Sequence, residues 1–311
     1  MGKSEEDLRE SRKIRADFVA KYGLVPQSIL KHDRHDRPVD IAVLEGRSYS
    51  GASRTLGKKM KEISSSSQFE KLNKQTLRIS ARFVQKGIAL STFPQNIGRF
   101  FVQLYCPEGG TVYDPFAGHN SRMYLVYSCN KNYIGVDVSH KFMEANWRLR
   151  EAIAEIDSHK FLPEGGEITL YEQSSASVPQ VGDNTADYTI TSPPYYQQEY
   201  YGDEPEQLGN AKTYESFLKY LLVHVKENFR VLKPGSFCTW FVNDFMHEKV
   251  YRCYHADLIG LFKEAGFTLH DIAISDLGHA LTSLFVKRIL VHKRLPKRHE
   301  YGLTFKKPVR S

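Results

Sequence analysis

The stretch TVYDPFAGHNSRMYLVYSCNKNYIGVDVS at residues 111–139 decides the fold. It begins with a short apolar run that predicts a β-strand, and an Asp-Pro turn and Gly118 follow this strand. A helical segment, MYLVYSC, and a second apolar run, YIGVDVS, come next. The order of strand, turn, helix and strand is typical of a parallel β-α-β unit.

The same alternation continues along the chain. The runs ITLYEQ, DYTITSPPYY, SFCTWFVND, GFTLHDIAISDL and YGLTFKK have the apolar and β-branched character of strands. Helical spacing is found in IGRFFVQLY, KFMEANWRLREAIAEI and HADLIGLFKEAGF, and in YESFLKYLLVHVKENFRVLKPG, where Lys-Pro-Gly is expected to stop the helix. We therefore expect an α/β fold with a doubly wound, mostly parallel sheet and helices on both faces.

The N-terminal part of the chain has a different texture. Residues 5–22 predict a charged helix, and residues 23–57 are irregular, with Gly, Pro and Ser scattered among charges. The strand and helix alternation starts only after Thr92. We expect two parts, a basic helical and irregular extension at residues 1–90 and the α/β domain at residues 91–311.

Composition excludes several classes of protein. Hydrophobic residues make up 41% and charged residues 25% of the 311 positions, as in ordinary globular proteins. No run of about 18 apolar residues is present, so a transmembrane helix is not expected. The four cysteines lie far apart without C-x-x-C spacing, and the histidines lack H-E-x-x-H spacing, so neither disulfides nor a metal site is expected. The polar N-terminus predicts a cytoplasmic protein.

Positive charge is concentrated at the two ends of the chain. Residues 1–90 carry 19 Lys and Arg against 11 Asp and Glu, and residues 287–311 carry 9 against 1. Clustered cations bind phosphates, so both ends are candidate nucleic-acid contacts, although solvated tails have the same composition. The candidate contacts are Lys58, Lys59, Lys61, Lys287, Arg288, Lys293, Arg294, Lys297 and Arg298.

The most specific motif is TITSPPYY at residues 189–196. Two consecutive prolines fix the backbone and remove two donors, so their carbonyls are held in a stiff arrangement. The hydroxyl of Ser192 and a proline carbonyl can accept hydrogen bonds from a planar amino group. Tyr195 is expected to stack on the ring that carries this group, and Tyr196 is a second candidate for such stacking. The same sequence is also compatible with a rigid turn that has aromatic packing.

Two further strand ends carry polar or small residues. Gly118 follows the first strand of the α/β domain, where small residues let a nucleotide-like ligand approach the backbone. Asp137 lies 19 residues after Gly118, close to the spacing at which an acid meets ribose hydroxyls. Each signal alone is also common as a structural turn or strand end.

Taken together, these motifs resemble the S-adenosylmethionine-dependent DNA amino-methyltransferases, in particular the phage- and prophage-type N4-cytosine and N6-adenine methylases. The matching residues are DPFAG at 114–118, GVDVS at 135–139 and TSPPY at 191–195, with Phe93-Pro94 before them. The acidic stretch GDEPEQLGNAKTYESF and the closing HEYGLTFKK also match, so the resemblance covers about residues 90–307.

The resemblance implies a Rossmann-like methyltransferase sheet and S-adenosylmethionine as the cofactor. Asp114 and Gly118 would lie at the methionine end, Asp137 on the ribose, and Gln173 or Ser174 near the adenine. Many members continue DPFAG with Ser-Gly-Thr, whereas this chain has His119-Asn120-Ser121. The residues expected to bind the cofactor are Phe93, Pro94, Asp114, Pro115, Phe116, Gly118, Asn120, Asp137, Gln173 and Ser174.

The resemblance also implies the reaction, and Ser192, Pro193, Pro194 and Tyr195 would form the catalytic loop. Two acceptors on the amino hydrogens free the nitrogen lone pair, while the protein supplies position and electrostatics. The base would be flipped out of double-stranded DNA, and the loop at 197–212 would order over it. Methylation at C5 of cytosine is excluded, because it needs a catalytic cysteine that usually follows a proline. None of the four cysteines of this chain follows a proline.

The sequence is compatible with two target amines, N4 of cytosine and N6 of adenine. Serine before the prolines resembles the N4-cytosine branch and favours cytosine, but the same acceptors serve N6 of adenine. An RNA amino-methyltransferase and a catalytically silent nucleic-acid-binding protein are two further candidates, and the intact SPPY, Gly118 and Asp137 count against the second. A site-specific enzyme of a restriction-modification system in a bacterial, archaeal or phage-infected cell is the expected setting, with no membrane and no metal involved.

Overall fold

An eight-stranded sheet forms the centre of the computed structural model, which describes residues 5–22, 28–31, 93–118, 122–157, 166–198, 204–277, 293–295 and 298–309. The helices are α1 (Glu5–Tyr22), α2 (Gln95–Tyr105), α3 (Met123–Tyr127), α4 (His140–Asp157), α5 (Tyr214–Val231) and α6 (Tyr254–Glu264). The strands are β1 (Ile29–Lys31), β2 (Thr111–Asp114), β3 (Asn132–Asp137), β4 (Ile168–Glu172), β5 (Ala186–Thr191), β6 (Leu232–Val242), β7 (Phe245–His247), β8 (Val250–Arg252), β9 (Thr268–Asp276) and β10 (His299–Lys306).

The strand order confirms the predicted doubly wound, mostly parallel sheet. It runs β1-β9-β10-β6-β5-β2-β3-β4, and every pairing within it is parallel except those of β10 with its two neighbours. The chain moves outward from β2 to β3 and β4, and then returns to β5 on the other side of β2. This reversal creates a crevice at the carboxyl ends of the strands, where ligands bind in such sheets.

The two faces of the sheet carry separate apolar clusters, because consecutive strand residues point to opposite faces. On β6, Trp240 packs with the cluster under α5 and α6, whereas its neighbour Phe241 packs with the cluster under α2, α3 and α4. Both side chains are buried, as their apolar sequence context predicts.

Helix α5 ends where its sequence predicts. Thr213 and Ser216 form a capping box at its start, and the helix stops at Val231, just before the Lys-Pro-Gly sequence, which lies inside strand β6. Strand β6 pairs irregularly with β5 at this point, because Ala186 pairs with Leu232 and the next pair is Tyr188 with Phe237. A proline is tolerated in a strand at such an irregularity.

Two strand pairings were absent from the sequence-based expectation. The N-terminal segment Ile29–Lys31 adds β1 to the edge of the sheet beside β9, and α1 packs on α2 through Phe18 and Tyr22 against Phe100. Strands β7 and β8 form a separate hairpin after β6. Three-residue strands are too short for an apolar alternation to stand out.

Candidate active site

The carboxyl ends of the parallel strands open into a cavity of about 360 Å³. On the side of β2, β3 and β4, the lining residues include Pro115, Phe116, Gly118, Asp137, Ser174 and Ser175. On the side of β5 and β6, they include Ser192, Pro193, Pro194, Tyr195, Asn243 and Asp244. We call these walls the β2–β4 side and the β5–β6 side. The cavity lies at the reversal of the strand order, as expected for this kind of sheet.

The turn after β2 is joined directly to the end of β3. The backbone N–H of Gly118 donates to Oδ2 of Asp137 at 2.8 Å, and the N–H of Ser139 donates to Oδ1 at 2.9 Å. Gly118 has a φ of 57°, in the left-handed region that favours glycine. Among the described residues, a Cβ added there would meet only the carbonyl oxygen of Phe116, at 3.9 Å, so they leave open the space beside Gly118.

Asp137 is poised to accept further hydrogen bonds. Removal from water raises its pKa to about 6, although the two backbone N–H donors and Arg122 act in the opposite direction. The group is therefore mostly ionised at neutral pH. A carboxylate has about four acceptor positions, so two remain after Gly118 and Ser139 are counted.

Asp114 is not among the residues that line the cavity but is bonded to one of them, Arg122. It is fully buried and forms an ion pair with Arg122, with 2.7 Å between Oδ2 and Nε. The hydroxyls of Tyr133 and Thr191 also donate to it, at 2.9 Å and 2.6 Å. Asp114 thus ties β2 to β3 and β5, and its partner Arg122 reaches the cavity wall.

A buried pair lies at the end of β4. The Oγ of Ser175 is 2.8 Å from Nδ1 of His224 on α5, and both residues line the cavity. Burial lowers the pKa of His224 to about 4, so the imidazole is neutral at physiological pH. The Phe116 ring lies 5.2 Å from this imidazole.

The SPPY loop after β5 is held by β6 and α6. The Ser192 hydroxyl donates to the Phe241 carbonyl at 3.0 Å, so the lone pairs of its oxygen remain available as acceptors. The Tyr254 hydroxyl donates to the carbonyl of Pro194 at 3.2 Å. No donor among the described residues occupies the carbonyl of Pro193.

Tyr195 is fixed at its hydroxyl and at its ring. The backbone N–H of Asn243 donates to its Oη at 2.8 Å, and its ring makes edge contacts with Phe245 and Tyr254, both at 5.8 Å. The neighbouring Tyr196 points away from the cavity and is buried among Tyr214 and Phe217. The expectation that Tyr196 also stacks on a base is therefore wrong, since its ring is part of the core.

The structure brings most of the predicted site residues together, but not all of them. Phe93 and Pro94 lie at the start of α2, where the Phe93 ring packs on Phe241 and under the Arg122 guanidinium. The side chain of Gln173 exchanges hydrogen bonds with Gln180 outside the cavity wall, whereas Ser174 lines it. Asn120 lies outside the described residues.

Several lining residues were missed from the sequence. Arg122, Val138, Phe142, Ser175 and His224 complete the β2–β4 side, and Glu300 on β10 reaches the opposite wall. Val138 could have been found, because it follows the strand-end acid directly. The others depend on contacts between distant elements.

Part of the loop predicted at residues 197–212 borders the cavity. Gln198 and residues 206–208 of the expected loop line the cavity. Among the described residues, no cluster of three metal-ligating side chains occurs. No helix in the described ranges is long and apolar enough to cross a membrane.

The fold and the cavity define a doubly wound α/β protein with a nucleotide-sized pocket at the switch point of its sheet. Comparison with known proteins narrows this class. Residues 186–310 match the family model described as DNA methylase, of the N6/N4 type. The chain is 32% identical over 131 residues to the type II beta methyltransferase M.BslI of Bacillus sp. (strain NEB-606). The aligned region covers 39% of this chain and 14% of that protein. The chain therefore spans a small part of this relative. These matches confirm the resemblance to S-adenosylmethionine-dependent DNA amino-methyltransferases.

The chain also has a low structural similarity to solved structures. A S-adenosylmethionine-dependent methyltransferase from Methanosarcina mazei is 14% identical, with 71% of this chain and 100% of that chain covered and a TM-score of 0.47. TrmN from Thermus thermophilus is 15% identical, with 73% and 53% covered and a TM-score of 0.45.

Proposed function

We propose that this protein is a DNA methyltransferase that moves a methyl group from S-adenosylmethionine to the exocyclic amine of a base, with cytosine N4 as the favoured target. One observation carries the proposal: the Ser192 oxygen and the Pro193 carbonyl are two acceptors on a rigid loop, in the wall of the same cavity as Gly118 and Asp137. A cofactor side and an amine-binding side therefore face one space.

The β2–β4 side fits the cofactor in shape and in chemistry. Asp137 retains acceptor capacity for ribose hydroxyls, and the open space beside Gly118 leaves room for a ligand close to the backbone. Val138 and Phe142 offer apolar contacts for an adenine ring, with Ser174 beside them. When bound, S-adenosylmethionine supplies an activated methyl group on a sulfonium.

The β5–β6 side fits a flipped base. Ser192 has its proton engaged by the Phe241 carbonyl, so its oxygen faces an amine as an acceptor. With the Pro193 carbonyl it accepts both amino hydrogens, which reduces delocalisation of the nitrogen lone pair into the ring. Tyr195 stacks on the base, and its fixed hydroxyl holds the ring in one orientation.

The base and the setting follow from the resemblance. Serine before the two prolines favours cytosine N4 over adenine N6, which is the second candidate. We propose double-stranded DNA as the partner, in the cytoplasm where genomic DNA is accessible. Of the proposed basic contacts, Lys293 and Arg294 lie in the described part of the chain and are exposed, whereas Arg298 is paired with Asp276 at 3.0 Å.

Identification of the product tests the proposal. The protein is incubated with S-adenosylmethionine and unmethylated DNA, the DNA is digested to nucleosides, and the methylated species is identified by mass spectrometry. Bulk tRNA is treated in parallel. Ser192→Ala should lower the rate by about 100-fold, because it removes an acceptor from the reacting amine. Thr185→Ala is the matched control, since its hydroxyl donates to Gly182 away from the cavity.

Each methylated product of this assay distinguishes between the candidate functions. N4-methylcytosine that depends on Ser192 supports the full proposal, whereas N6-methyladenine keeps the DNA amino-methyltransferase and overturns the choice of base. Methylation of tRNA alone replaces DNA by RNA as the substrate. Cofactor binding without methylation of either nucleic acid contradicts the proposal.

A further inference from the structure

The hairpin of β7 and β8 projects from the rim of the cavity. Phe245 at its start lines the cavity, and the pair His247–Val250 closes a two-residue turn of Glu248 and Lys249. Asp244, which also lines the cavity, accepts a hydrogen bond of 3.1 Å from the hydroxyl of Tyr251 on β8. The hairpin is thus anchored in the wall of the proposed base pocket.

The turn of this hairpin has an unfavourable sequence for its conformation. Glu248 and Lys249 have φ values of 46° and 65°, the pattern of a type I′ turn, for which Asn-Gly is strongly preferred. Two long charged side chains therefore occupy strained left-handed positions at the tip. Strain of this kind is concentrated at functional surfaces, where the side chains have a use that offsets it.

A second segment of the chain lies against the hairpin and adds positive charge. Nη1 of Arg294 is 3.4 Å from the sulfur of Met246, and Lys293 next to it is exposed. Apolar side chains are exposed on the hairpin and on this segment: Tyr251, which points to the same face of the hairpin as its partner Met246, is 51% exposed, and Leu295 is 86% exposed. We define the hairpin surface as Lys249, Tyr251, Lys293, Arg294 and Leu295.

Both acidic and basic side chains lie near this surface, and each has a defined position. Glu248 at the tip lies 3.9 Å from Nε2 of His247. Arg252 is excluded from the surface, since its guanidinium lies over the ring of Tyr214 at 4.6 Å. The remaining cations, Lys249, Lys293 and Arg294, have no carboxylate partner within the described residues.

We infer that the hairpin surface is the element that contacts double-stranded DNA beside the flipped base, an inference that rests on the proposed function. Its three cations match the phosphates, and the Tyr251 ring offers apolar contact to the base pairs next to the vacated position. The Glu248 carboxylate is an acceptor of the kind that contacts exocyclic amines in the major groove. The hairpin is connected to the pocket through Asp244 and Phe245, so this contact adjoins the site of the reaction.

The turn can be changed without unfolding the hairpin, so its contribution to DNA binding can be tested separately from stability. The double variant Glu248→Asn/Lys249→Gly installs the sequence preferred by a type I′ turn, so the hairpin stays formed while both charged side chains are lost. The matched control is Lys226→Gln/Glu264→Gln, which removes an exposed Lys–Glu pair between α5 and α6 with the same net charge. Binding of a fluorescent mixed-sequence duplex is measured by anisotropy over a range of salt concentrations.

We expect the turn variant to bind the duplex about tenfold more weakly, with the slope of log affinity against log salt reduced by about 1. The control should match the unchanged protein. Tyr251→Ala should lower methylation of native genomic DNA about tenfold more than methylation of heat-denatured DNA, whereas Tyr251→Phe, which keeps the ring and loses only the hydroxyl bonded to Asp244, should change the two equally. Cofactor affinity, measured by calorimetry, should be the same in all variants.

The outcomes separate this inference from the proposed function. If the unchanged protein methylates DNA but the turn variant has the affinity and salt slope of the control, the hairpin surface is not the duplex contact. An equal loss on native and denatured DNA for Tyr251→Ala means that the hairpin holds single strands instead, which also overturns the inference. If the unchanged protein methylates only RNA or nothing, the proposed function fails first.

Discussion

The two sides of the cavity are built with different kinds of interaction. On the β2–β4 side, carboxylates organise the wall: Asp114 holds Arg122, Tyr133 and Thr191, and Asp137 joins two backbone turns. On the β5–β6 side, hydroxyls and carbonyls hold the SPPY loop itself, and the carboxylate of Asp244 binds His255 and Tyr251 beside it. Ser192 donates to a backbone carbonyl, and the hydroxyls of tyrosines pair with the backbone.

This difference follows from what each side is proposed to bind. A cationic cofactor with ribose hydroxyls is compatible with ionised carboxylates nearby, and these also form strong hydrogen bonds in a buried site. The acceptors proposed for the reacting amine are instead the Ser192 hydroxyl oxygen and the Pro193 carbonyl, which need no buried charge. The comparison predicts that variants on the β2–β4 side change stability and pH dependence more than variants on the β5–β6 side.

The largest effect is expected for Asp114→Asn. Loss of the carboxylate leaves the buried Arg122 guanidinium without its counter-ion, which costs about 3–5 kcal/mol in the free energy of unfolding. Chemical denaturation measures it. The double variant Asp114→Asn/Arg122→Gln should recover part of the loss, because no charge is then left unpaired. A loss below about 1 kcal/mol for the single variant would remove the proposed contrast between the two sides.

A smaller effect is expected for the pH dependence of cofactor binding through Asp137. The ionised form accepts the ribose hydroxyls, and its pKa is about 6, so affinity for S-adenosylhomocysteine should fall by about tenfold per unit below pH 6. Asp137→Asn should bind weakly at every pH, without this slope. Calorimetry between acid and neutral pH measures both, and a slope that persists in Asp137→Asn assigns it to another group.

The same raised pKa has an opposite consequence for the protein without ligand. Because the pKa of Asp137 is higher in the folded state than its ordinary value of 3.8, its protonated form is favoured by folding. This contribution to stability is complete below about pH 4 and is lost as the pH rises through about 6. Cofactor binding should therefore stabilise the protein most above pH 6.

The smallest effect is expected for Tyr195→Phe on the β5–β6 side. It removes the acceptor of the Asn243 N–H but keeps the ring, so the free energy of unfolding should fall by about 1 kcal/mol and methylation should change by less than about tenfold. Tyr195→Ala, which also removes the stacking ring, should lose far more activity. Equal activities for the two variants in the methylation assay would show that the ring does not hold the base.

Sequence patterns predicted the local elements of both sides well. The apolar runs, the Asp-Pro turn and the spacing from Gly118 to Asp137 placed the strand ends, and the structure joins these two residues by a direct hydrogen bond. The SPPY loop was found at the end of β5. The short strands β1, β7 and β8 were missed, because three residues do not establish a periodicity.

The amino-acid sequence by itself determined the order of strands and helices and the motifs at the strand ends, since periodicity and turn chemistry act between near neighbours. Only the tertiary structure decided that Asp114 binds Arg122 and Thr191, that His224 meets Ser175, and that the hairpin adjoins the cavity. Thr191 and Asp114 are 77 positions apart and His224 and Ser175 are 49 apart. Contacts at such separations depend on how the sheet closes and on burial, where each polar group must find a partner, and no local pattern specifies that partner.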